Sequence, residues 1–314
     1  MGWVMDKNFW ADRGQLLQLD TGGEPLCEAR CLAVTRLGSI QLPPTAFTIW
    51  IQLRGSAWVE SKEGRFQLRR GDWLALDKES RPMVQADRRG VAIGVSLGGD
   101  AAKIAARLTE AGLFAGRGRI GKGDLRLLVR LWRVASERLG GNPAADPVEQ
   151  VAALRPLLLF LAGVQRDLAV GIARCPGRSR LRKRQVFSRL QRARLYLEGN
   201  CDRVVRIGEL AQLTSFSSWY FSKTFHGLYD ESPQAASVRM RLERAALLLR
   251  TSDMMIGEVA AACGFDNCCS FARAFRSRFG ASASTYRQTA KSASPTHSAK
   301  SGSGARKAAI AFGT

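Results

Sequence analysis

The chain has 314 residues, 46% of them hydrophobic and 24% charged, so it is long enough for two or three domains with apolar cores. Its formal net charge is +21 and its pI is about 10.7. Residues 171–314 carry 24 Lys or Arg against 9 Asp or Glu (+15), whereas residues 1–170 carry 24 against 18 (+6). This asymmetry favours a polyphosphate partner for the second half over a merely solubilising surface.

The sequence disfavours two classes of protein, those that span a membrane and those that are secreted. The longest apolar run, Leu157–Val164, is shorter than the roughly 18 residues of a membrane span. Met1–Trp10 lacks the basic start and apolar middle of a signal peptide. The seven cysteines are odd in number and scattered, which is typical of reduced thiols. We therefore predict a cytoplasmic protein with no membrane partner.

Residues 1–100 are predicted to form a β-rich domain. Short segments rich in Val, Ile, Trp and Phe alternate with Gly and charged turns, as at Phe47–Leu53, Ser56–Ser61, Phe66–Leu68, Gly71–Leu76 and Val91–Leu97. Their close spacing favours an antiparallel barrel or sandwich. The order of Leu53-Arg-Gly55, Val59, Phe66-Gln-Leu68 and Gly71-Asp72 resembles the cupin-like barrel that precedes many bacterial regulator DNA-binding domains.

Four aromatic residues of this domain alternate with polar ones: Trp50, Trp58, Phe66 and Trp73. They either fill the core, which we favour, or line a ligand pocket. Cys27 and Cys31 could form a thiol sensor if their surroundings were electropositive, although buried or idle thiols are the favoured interpretation.

The pattern becomes helical over residues 101–172. Three helices are predicted at Ala101–Glu110, Asp124–Leu139 and Pro147–Val170, the second with Leu127, Leu128, Leu131, Trp132 and Ala135 on one stripe. They either cover the barrel or mediate dimerisation. Residues 173–185 combine Pro, Gly and Ser with a dense basic run and predict a linker, while residues 290–314 predict a disordered basic tail.

Residues 186–289 contain one pattern twice, about 50 residues apart. The copies run Ile207–Phe225 and Ile256–Phe275, each with an apolar helix, a tight turn closed by Phe, and a second helix. This predicts two helix-turn-helix units, at about 207–226 and 256–276. Ser217 and Asp266 are the expected helix caps, and Gly264 the expected left-handed residue.

In the second helix of each unit, phenylalanines four residues apart are expected to face inward and leave the opposite face for DNA. The residues on these faces are Trp219, Ser222 and Lys223 in the first unit, and Cys268, Cys269, Ser270, Arg273 and Arg276 in the second. Arg273 suits the O6 and N7 atoms of guanine. Trp219 suits thymine methyls or sugars, the alternative being a packing role against a neighbouring helix.

Between the units, Ser232-Pro233 begins a predicted helix that ends near Arg250. Its inward residues are predicted to be Val238, Leu242, Ala245, Ala246 and Leu249. Its outward residues are predicted to be Arg239, Arg241, Arg244 and Arg250. Such a helix could set two recognition helices into successive major grooves on one face of DNA.

Residues from about Phe187 to Gln288 resemble the DNA-binding domain of the AraC/XylS family. The resemblance is carried by both helix-turn-helix units, Arg194-Leu-Tyr-Leu-Glu198, Leu242-Glu-Arg-Ala245, Gly264-Phe265, Phe271–Gly280 and Tyr286-Arg287. It implies a sequence-specific transcription regulator whose base contacts come from the two faces named above. The implied partners are double-stranded promoter or operator DNA, RNA polymerase, a second copy of the chain as a homodimer, and optionally a small-molecule effector of the N-terminal domain. Activation is the expected outcome, although activation or repression follows from position at the promoter.

The chain departs from this family's pattern at Thr214-Ser215, Asp230, Ala283 and Cys268-Cys269. Two alternatives to a specific regulator remain. An enzyme with a metal-bearing barrel would need several His or carboxylate ligands, but both histidines, His226 and His297, lie outside the barrel. We therefore predict no enzymatic activity, no metal and no cofactor. The other alternative is a non-specific basic DNA-binding protein without an effector.

Overall fold

The computed structural model describes residues 8–19, 28–109, 112–142 and 144–292. The chain divides into two compact units, Met1–Arg241 and Leu242–Thr314. The five-part division predicted from the sequence stays a prediction. Cys27 and residues 293–314 of the predicted tail lie outside the described residues.

The N-terminal part of the first unit is a sandwich of two sheets, with strand orders β1-β3-β10-β5-β8-β11 and β2-β4-β9-β6-β7. The strands are β1 Asn8–Ala11, β2 Leu16–Gln18, β3 Ala29–Thr35, β4 Ser39–Gln41, β5 Phe47–Arg54, β6 Ser56–Ser61, β7 Gly64–Arg69, β8 Asp72–Leu76, β9 Met83–Ala86, β10 Val91–Leu97 and β11 Gly116–Arg119. The predicted strands are confirmed, as is the α+β fold class, with a strand-rich N-terminal region and a helical C-terminal one.

The sequence predicts an antiparallel barrel or sandwich, but the strand pairing is not purely antiparallel. β1 pairs with β3, and β2 with β4, in parallel. A hairpin can join only antiparallel neighbours. Here the chain leaves the first sheet after β1, adds β2 to the second sheet, and enters the first sheet again at β3 in the same direction.

The two faces of strand β5 contribute to two different cores. Its Ile49 and Ile51 face a cluster shared with helices, whereas Trp50 faces the space between the sheets. Trp50, Phe66 and Trp73 are all buried, as the favoured interpretation predicted. Trp58 differs because it is 37% exposed, with the Arg65 guanidinium 4.2 Å from its ring centroid.

Helices cover the outer face of the first sheet. They are α1 Gly99–Leu108, α2 Lys122–Gly141, α3 Pro147–Val164 and α4 Arg166–Val170, followed by a 3-10 turn at Gly171–Arg174. Trp132 Nε1 donates to the Gly94 carbonyl at 2.9 Å, and the Gln150 side chain accepts from Ala29 N at 2.8 Å. Leu127 was wrongly placed on the inner stripe and is 46% exposed, because the buried stripe of α2 runs through Leu128 and Ala135.

Helix α3 is long and apolar enough to cross a membrane by length and composition alone, with a mean hydropathy of 1.4. The sequence did not predict such a helix, because Pro156 divides the apolar residues, yet the helix continues through Pro156. Leu154, Leu157, Leu158 and Leu161 are buried in the cluster that α3 shares with the sheet. Over the whole 18-residue helix, 39% is buried.

The C-terminal helices follow the repeated pattern closely. They are α5 Arg180–Gly199, α6 Ile207–Thr214, α7 Ser218–Tyr229, α8 Pro233–Thr251, α9 Ile256–Ala262, α10 Cys268–Phe279 and α11 Ala283–Ser292. Helix α5 begins inside the segment predicted as a linker, where Ser179 Oγ accepts from Arg182 N at 3.2 Å and caps it.

Helix α5 packs on the sandwich within the first unit. Glu63, which is 1% exposed, accepts from Arg192 Nε at 2.9 Å, and its backbone carbonyl accepts from the Asn200 amide at 2.9 Å. The backbones approach so closely that a Cβ on Gly64 would lie 2.4 Å from the Gly199 carbonyl oxygen. Both glycines are therefore required by this junction.

Helix α8 contains the division between the units, and two predictions about it were wrong. Val238 is 38% exposed and Arg241 is buried, the reverse of the expected orientation. The buried stripe changes direction along the helix. Ala236 and Met240 belong to one core and Leu242–Leu249 to another, so a single periodic stripe could not describe both halves.

Candidate nucleic-acid interface

The turn of the first helix-turn-helix unit is made by Ser215 in a left-handed conformation, with φ of 53°. Arg189 supports it by donating to the Thr214 carbonyl at 3.2 Å and lying 5.4 Å from the ring of Phe216. Phe216 in turn packs edge-on against Tyr220, with centroids 5.0 Å apart. The phenylalanine therefore closes the turn, as predicted.

Glu209 holds the start of α6 and is the most connected carboxylate of this unit. It accepts from Arg206 N at 2.9 Å, from Arg203 Nη2 at 2.7 Å and from the Tyr196 hydroxyl at 3.2 Å. The Arg203 hydrogen bond, followed by that from the Arg206 backbone, lowers the pKa of Glu209 to about 2. This network was not predicted, although a Glu near the start of each repeat is the signal of a capping box.

Helix α7 presents the predicted first face. Ser217 caps it as expected, accepting from Tyr220 N at 3.2 Å, and Phe221 and Phe225 are buried beneath it. Trp219 stands 68% exposed, so the alternative in which it packs on a neighbouring helix is wrong. The Lys223 ammonium lies 4.9 Å from its ring centroid, one turn along the same face.

Ser222 lies beside this pair and is half-buried. His226 is exposed in the last turn of α7. The face thus combines an aromatic ring, a hydroxyl and a cation, the groups that contact sugars, base edges and phosphates.

The second unit builds the same turn with glycine. Gly264 has a φ of 70°, as predicted, and Phe265 packs on Phe271 with centroids 5.2 Å apart. Met255 N donates to Glu258 at 2.7 Å, repeating the bond that Glu209 makes in the first unit. The two turns therefore share one backbone design.

The predicted cap of α10 was wrong by one residue. Asn267, not Asp266, is the capping residue, and its side-chain oxygen accepts from Ser270 N at 2.7 Å. A cap must directly precede the first helical residue, which here is Cys268. Ser270 is half-buried and its hydroxyl donates to the Asn267 carbonyl at 2.9 Å, so part of its hydrogen-bonding capacity is used within the helix.

Cys268, Cys269, Arg273 and Arg276 are all exposed on α10, opposite the buried Phe271 and Phe275. Within the described part of the chain, no ion pair involves Arg273 or Arg276, which leaves both guanidinium groups available to a ligand. Arg278 differs because it pairs with Glu243 at 3.2 Å.

Two observations bear on the alternatives of a metal centre and a thiol sensor. Among the residues that the structure describes, no group of three His, Cys, Asp or Glu side chains could hold a metal ion. Burial raises the pKa of the Cys31 thiol to about 12, the opposite of what a reactive thiolate needs. The proposed partner of Cys31, Cys27, lies outside the described residues.

Comparison with known proteins agrees with this geometry. A family model described as a helix-turn-helix domain matches residues 210–289. The C-terminal region is an AraC/XylS-type DNA-binding domain. This AraC-type domain belongs to a family of DNA-binding transcription regulators rather than enzymes.

Two curated relatives from Pseudomonas aeruginosa share it. The transcriptional regulator CdhR is 32% identical over 131 residues, which cover 38% of this chain and 39% of CdhR. The transcriptional regulator GbdR is 26% identical over 166 residues, covering 48% of this chain and 43% of GbdR. The chain therefore matches less than half the length of either relative.

A solved structure of a probable AraC family transcriptional regulator from Rhodopseudomonas palustris is 34% identical. The match covers 32% of this chain and 96% of that chain, with a TM-score of 0.31.

Proposed function

We propose that the chain is a sequence-specific transcription regulator that reads two successive major grooves with α7 and α10. One observation carries this proposal. Both helices are 12 residues long, contain no Asp or Glu, and bury a phenylalanine pair opposite an exposed face that carries a cation. Two faces of this kind suit two segments of a polyanion.

The residue roles follow from side-chain chemistry. Arg273 is proposed to donate two hydrogen bonds to the O6 and N7 atoms of one guanine, and Arg276 to contact phosphate. Trp219 offers its ring to thymine methyls or sugars, and Lys223 its ammonium to phosphate or guanine. Cys268 and Cys269 are weak hydrogen-bonding groups, so α10 is expected to specify few bases beyond that of Arg273.

Control by the N-terminal sandwich is the second part of the proposal. The Glu63–Arg192 ion pair and the Gly64–Gly199 approach join the sandwich to α5, the helix that precedes the first helix-turn-helix unit. A change in the sandwich therefore has a direct route to α6 and α7. We extend the proposal to a cytoplasmic homodimer that contacts RNA polymerase and responds to a small-molecule effector.

The competing function is non-specific DNA binding driven by the +15 net charge of residues 171–314. Selection of binding sites from a random duplex DNA pool, at one fixed physiological salt concentration, separates the two. The proposal predicts enrichment of two short half-sites about one helical turn (10–10.5 base pairs) apart. Uniform recovery of all sequences by the full chain and by a chain of residues 175–292 would contradict it.

A further inference from the structure

Two adjacent thiols lie on the exposed side of α10. Cys268 and Cys269 are the first residues of this helix, and both are exposed. The other cysteines that the structure describes are buried, namely Cys31, Cys175, Cys201 and Cys263. An exposed free thiol is an uncommon surface residue, because it is open to oxidation and forms only weak hydrogen bonds. Base recognition by α10 therefore leaves the presence of these two thiols unexplained.

Cys269 is aligned with both arginines of the exposed face. Cys269, Arg273 and Arg276 are spaced i, i+4 and i+7, which places their side chains on one side of the helix. Side chains four residues apart in a helix have Cβ atoms about 5–6 Å apart. Both guanidinium groups are exposed and make no ion pair within the part of the chain that the structure describes. An anionic group attached to Cys269 would therefore have two cations beside it.

The sulfur of Cys268 lies in a different place. A Cβ on Gly257, at the start of α9, would lie 3.6 Å from Cys268 Sγ, so this sulfur lies beside the neighbouring helix. Consecutive side chains of a helix are rotated by about 100° from each other. The two thiols are thus not equivalent, and Cys269 is the one that shares a face with the arginines.

A disulfide between the two thiols is incompatible with the helical backbone. Consecutive Cα atoms are about 3.8 Å apart, whereas the Cα atoms joined by a disulfide are usually at least about 4.4 Å apart. Joining Cys268 to Cys269 would therefore distort the first turn of α10. Disulfide formation that preserves the helix requires a thiol from another molecule.

We propose that Cys269 forms a reversible mixed disulfide with a small thiol that carries carboxylates, and that this modification blocks the half-site read by α10. The block rests on the proposed function, whereas the modification itself does not. The Cys269 thiolate, whose proton has gone to solvent, attacks one sulfur of a low-molecular-weight disulfide. A new S–S bond forms and the original one breaks. Cys269 is oxidised, and the other half of the reagent leaves as the reduced thiolate.

Carboxylates suit this position for two reasons. Arginine pairs with a carboxylate through two parallel hydrogen bonds, so the attached group would occupy the guanidinium groups of Arg273 and Arg276. The added negative charge would also repel the phosphates of DNA. Helix α7 contains no cysteine, so the half-site that it reads should be retained.

Modification is tested on the full chain with oxidised glutathione, whose two halves each carry two carboxylates and one ammonium group. The chain carries Cys27→Ser, because Cys27 lies outside the described residues. Mass spectrometry of proteolytic peptides should find a glutathionyl group on Cys269 in excess over Cys268, and dithiothreitol should remove it. Labelling of Cys268 equal to or above that of Cys269, or no labelling of either, would overturn the assignment.

The effect on DNA is measured by titrating a selected site at one salt concentration before and after treatment. Glutathione should weaken binding about tenfold or more, the size of one lost charge-assisted hydrogen bond, and reduction should restore it. Methyl methanethiosulfonate is the neutral control, because it attaches only an S-methyl group, and it should weaken binding much less. An equal loss with both reagents would contradict the role of the carboxylates.

Two variants assign the effect to one thiol, each compared before and after treatment with glutathione. Cys269→Ser has no thiol at the proposed site, so treatment should not change its affinity. Cys268→Ser keeps that thiol and should lose affinity on treatment as the parent chain does. A response that persists in Cys269→Ser, or disappears in Cys268→Ser, would overturn the proposal.

Failure of this site and failure of the proposed function are distinguishable. Selection of specific DNA by a chain in which Cys269 is not labelled would leave the regulator and remove the site. Labelling of Cys269 in a chain that selects no specific DNA would leave the modification and remove its effect on a half-site.

Discussion

The two helix-turn-helix units share one backbone but differ in the residues placed at their two left-handed positions. The second unit uses glycine at both, Gly264 (φ 70°) and Gly280 (φ 72°). The first uses Ser215 (φ 53°) and Asp230 (φ 58°). Glycine adopts this conformation without strain, whereas other L-residues lose about 1–2 kcal/mol there, with Asp the more tolerant.

The first unit compensates with side-chain contacts around the same positions. Arg189 donates to the Thr214 carbonyl beside Ser215, and Arg174 pairs with Asp230. The Arg174 hydrogen bond lowers the pKa of Asp230. The two units therefore hold the same backbone conformation in different ways. The second unit uses the conformational freedom of glycine, and the first uses polar side-chain contacts.

The largest losses of stability should come from truncating the buried phenylalanines that both units share. Phe225→Ala and Phe275→Ala each remove a fully buried ring and should each cost about 3–5 kcal/mol of stability. Denaturant unfolding followed by circular dichroism measures this cost. Phe279→Ala is the control, because Phe279 is only half-buried and its loss should cost clearly less. Equal costs for all three rings would contradict the assigned cores.

The equivalent glutamates should differ in their contribution to stability. Glu209→Ala removes three partners and should cost about 1–2 kcal/mol, more than Glu258→Ala, for which one bond from Met255 N is described. Thermal denaturation of both variants gives the ranking. A larger loss for Glu258→Ala would reverse the comparison.

Lowering the pH should reduce the stability that Glu209 contributes relative to a side chain that cannot ionise. Its pKa in the folded state is lowered to about 2 from an ordinary value near 4.5. Its stabilisation is therefore complete above about pH 4.5 and is lost as the pH falls towards 2. The stability difference between the native chain and Glu209→Gln should shrink over that range. A constant difference would show that the charge of Glu209 contributes nothing.

Arg273 should contribute to DNA affinity without affecting the fold. Arg273→Ala should cost about 1–3 kcal/mol of binding and relax one base position. Arg278→Ala is a matched control on the same helix, because Arg278 pairs with Glu243. Titration of a selected DNA site and of its single-base variants measures both quantities. An equal loss on every sequence would identify Arg273 as a phosphate contact.

The smallest effects concern the turns themselves. Ser215→Gly should stabilise the first unit by up to about 1 kcal/mol, whereas Gly264→Ala should destabilise the second by a similar amount, since only the second change adds strain. Melting temperatures of the two variants check the opposite signs. Destabilisation by Ser215→Gly would mean that the serine side chain holds the turn.

Local patterns predicted most of this architecture. The repeat located α6, α7, α9 and α10 because a helix-turn-helix is determined by residues close in sequence. The exposed faces followed from the helical period once the phenylalanine pairs were assigned inward.

The features that local sequence patterns did not predict depend on contacts between residues that are distant in sequence. Arg241 and Val238 were misplaced because α8 packs into two cores along its length. The parallel pairing of β1 with β3 depends on a crossover between sheets. The pairing of Ser96 with Arg30 and with Thr48 depends on strand register, which no single segment of the sequence reveals.

The most direct test of the central claim, that two recognition helices read two separate half-sites, is binding-site selection run in parallel. The native chain, Trp219→Ala and Arg273→Ala are each selected against one random duplex pool at one salt concentration. The account predicts two half-sites for the native chain, with Trp219→Ala losing preference in one and Arg273→Ala in the other. Loss of the same bases in both variants, or an equal decline across the whole motif, would contradict it.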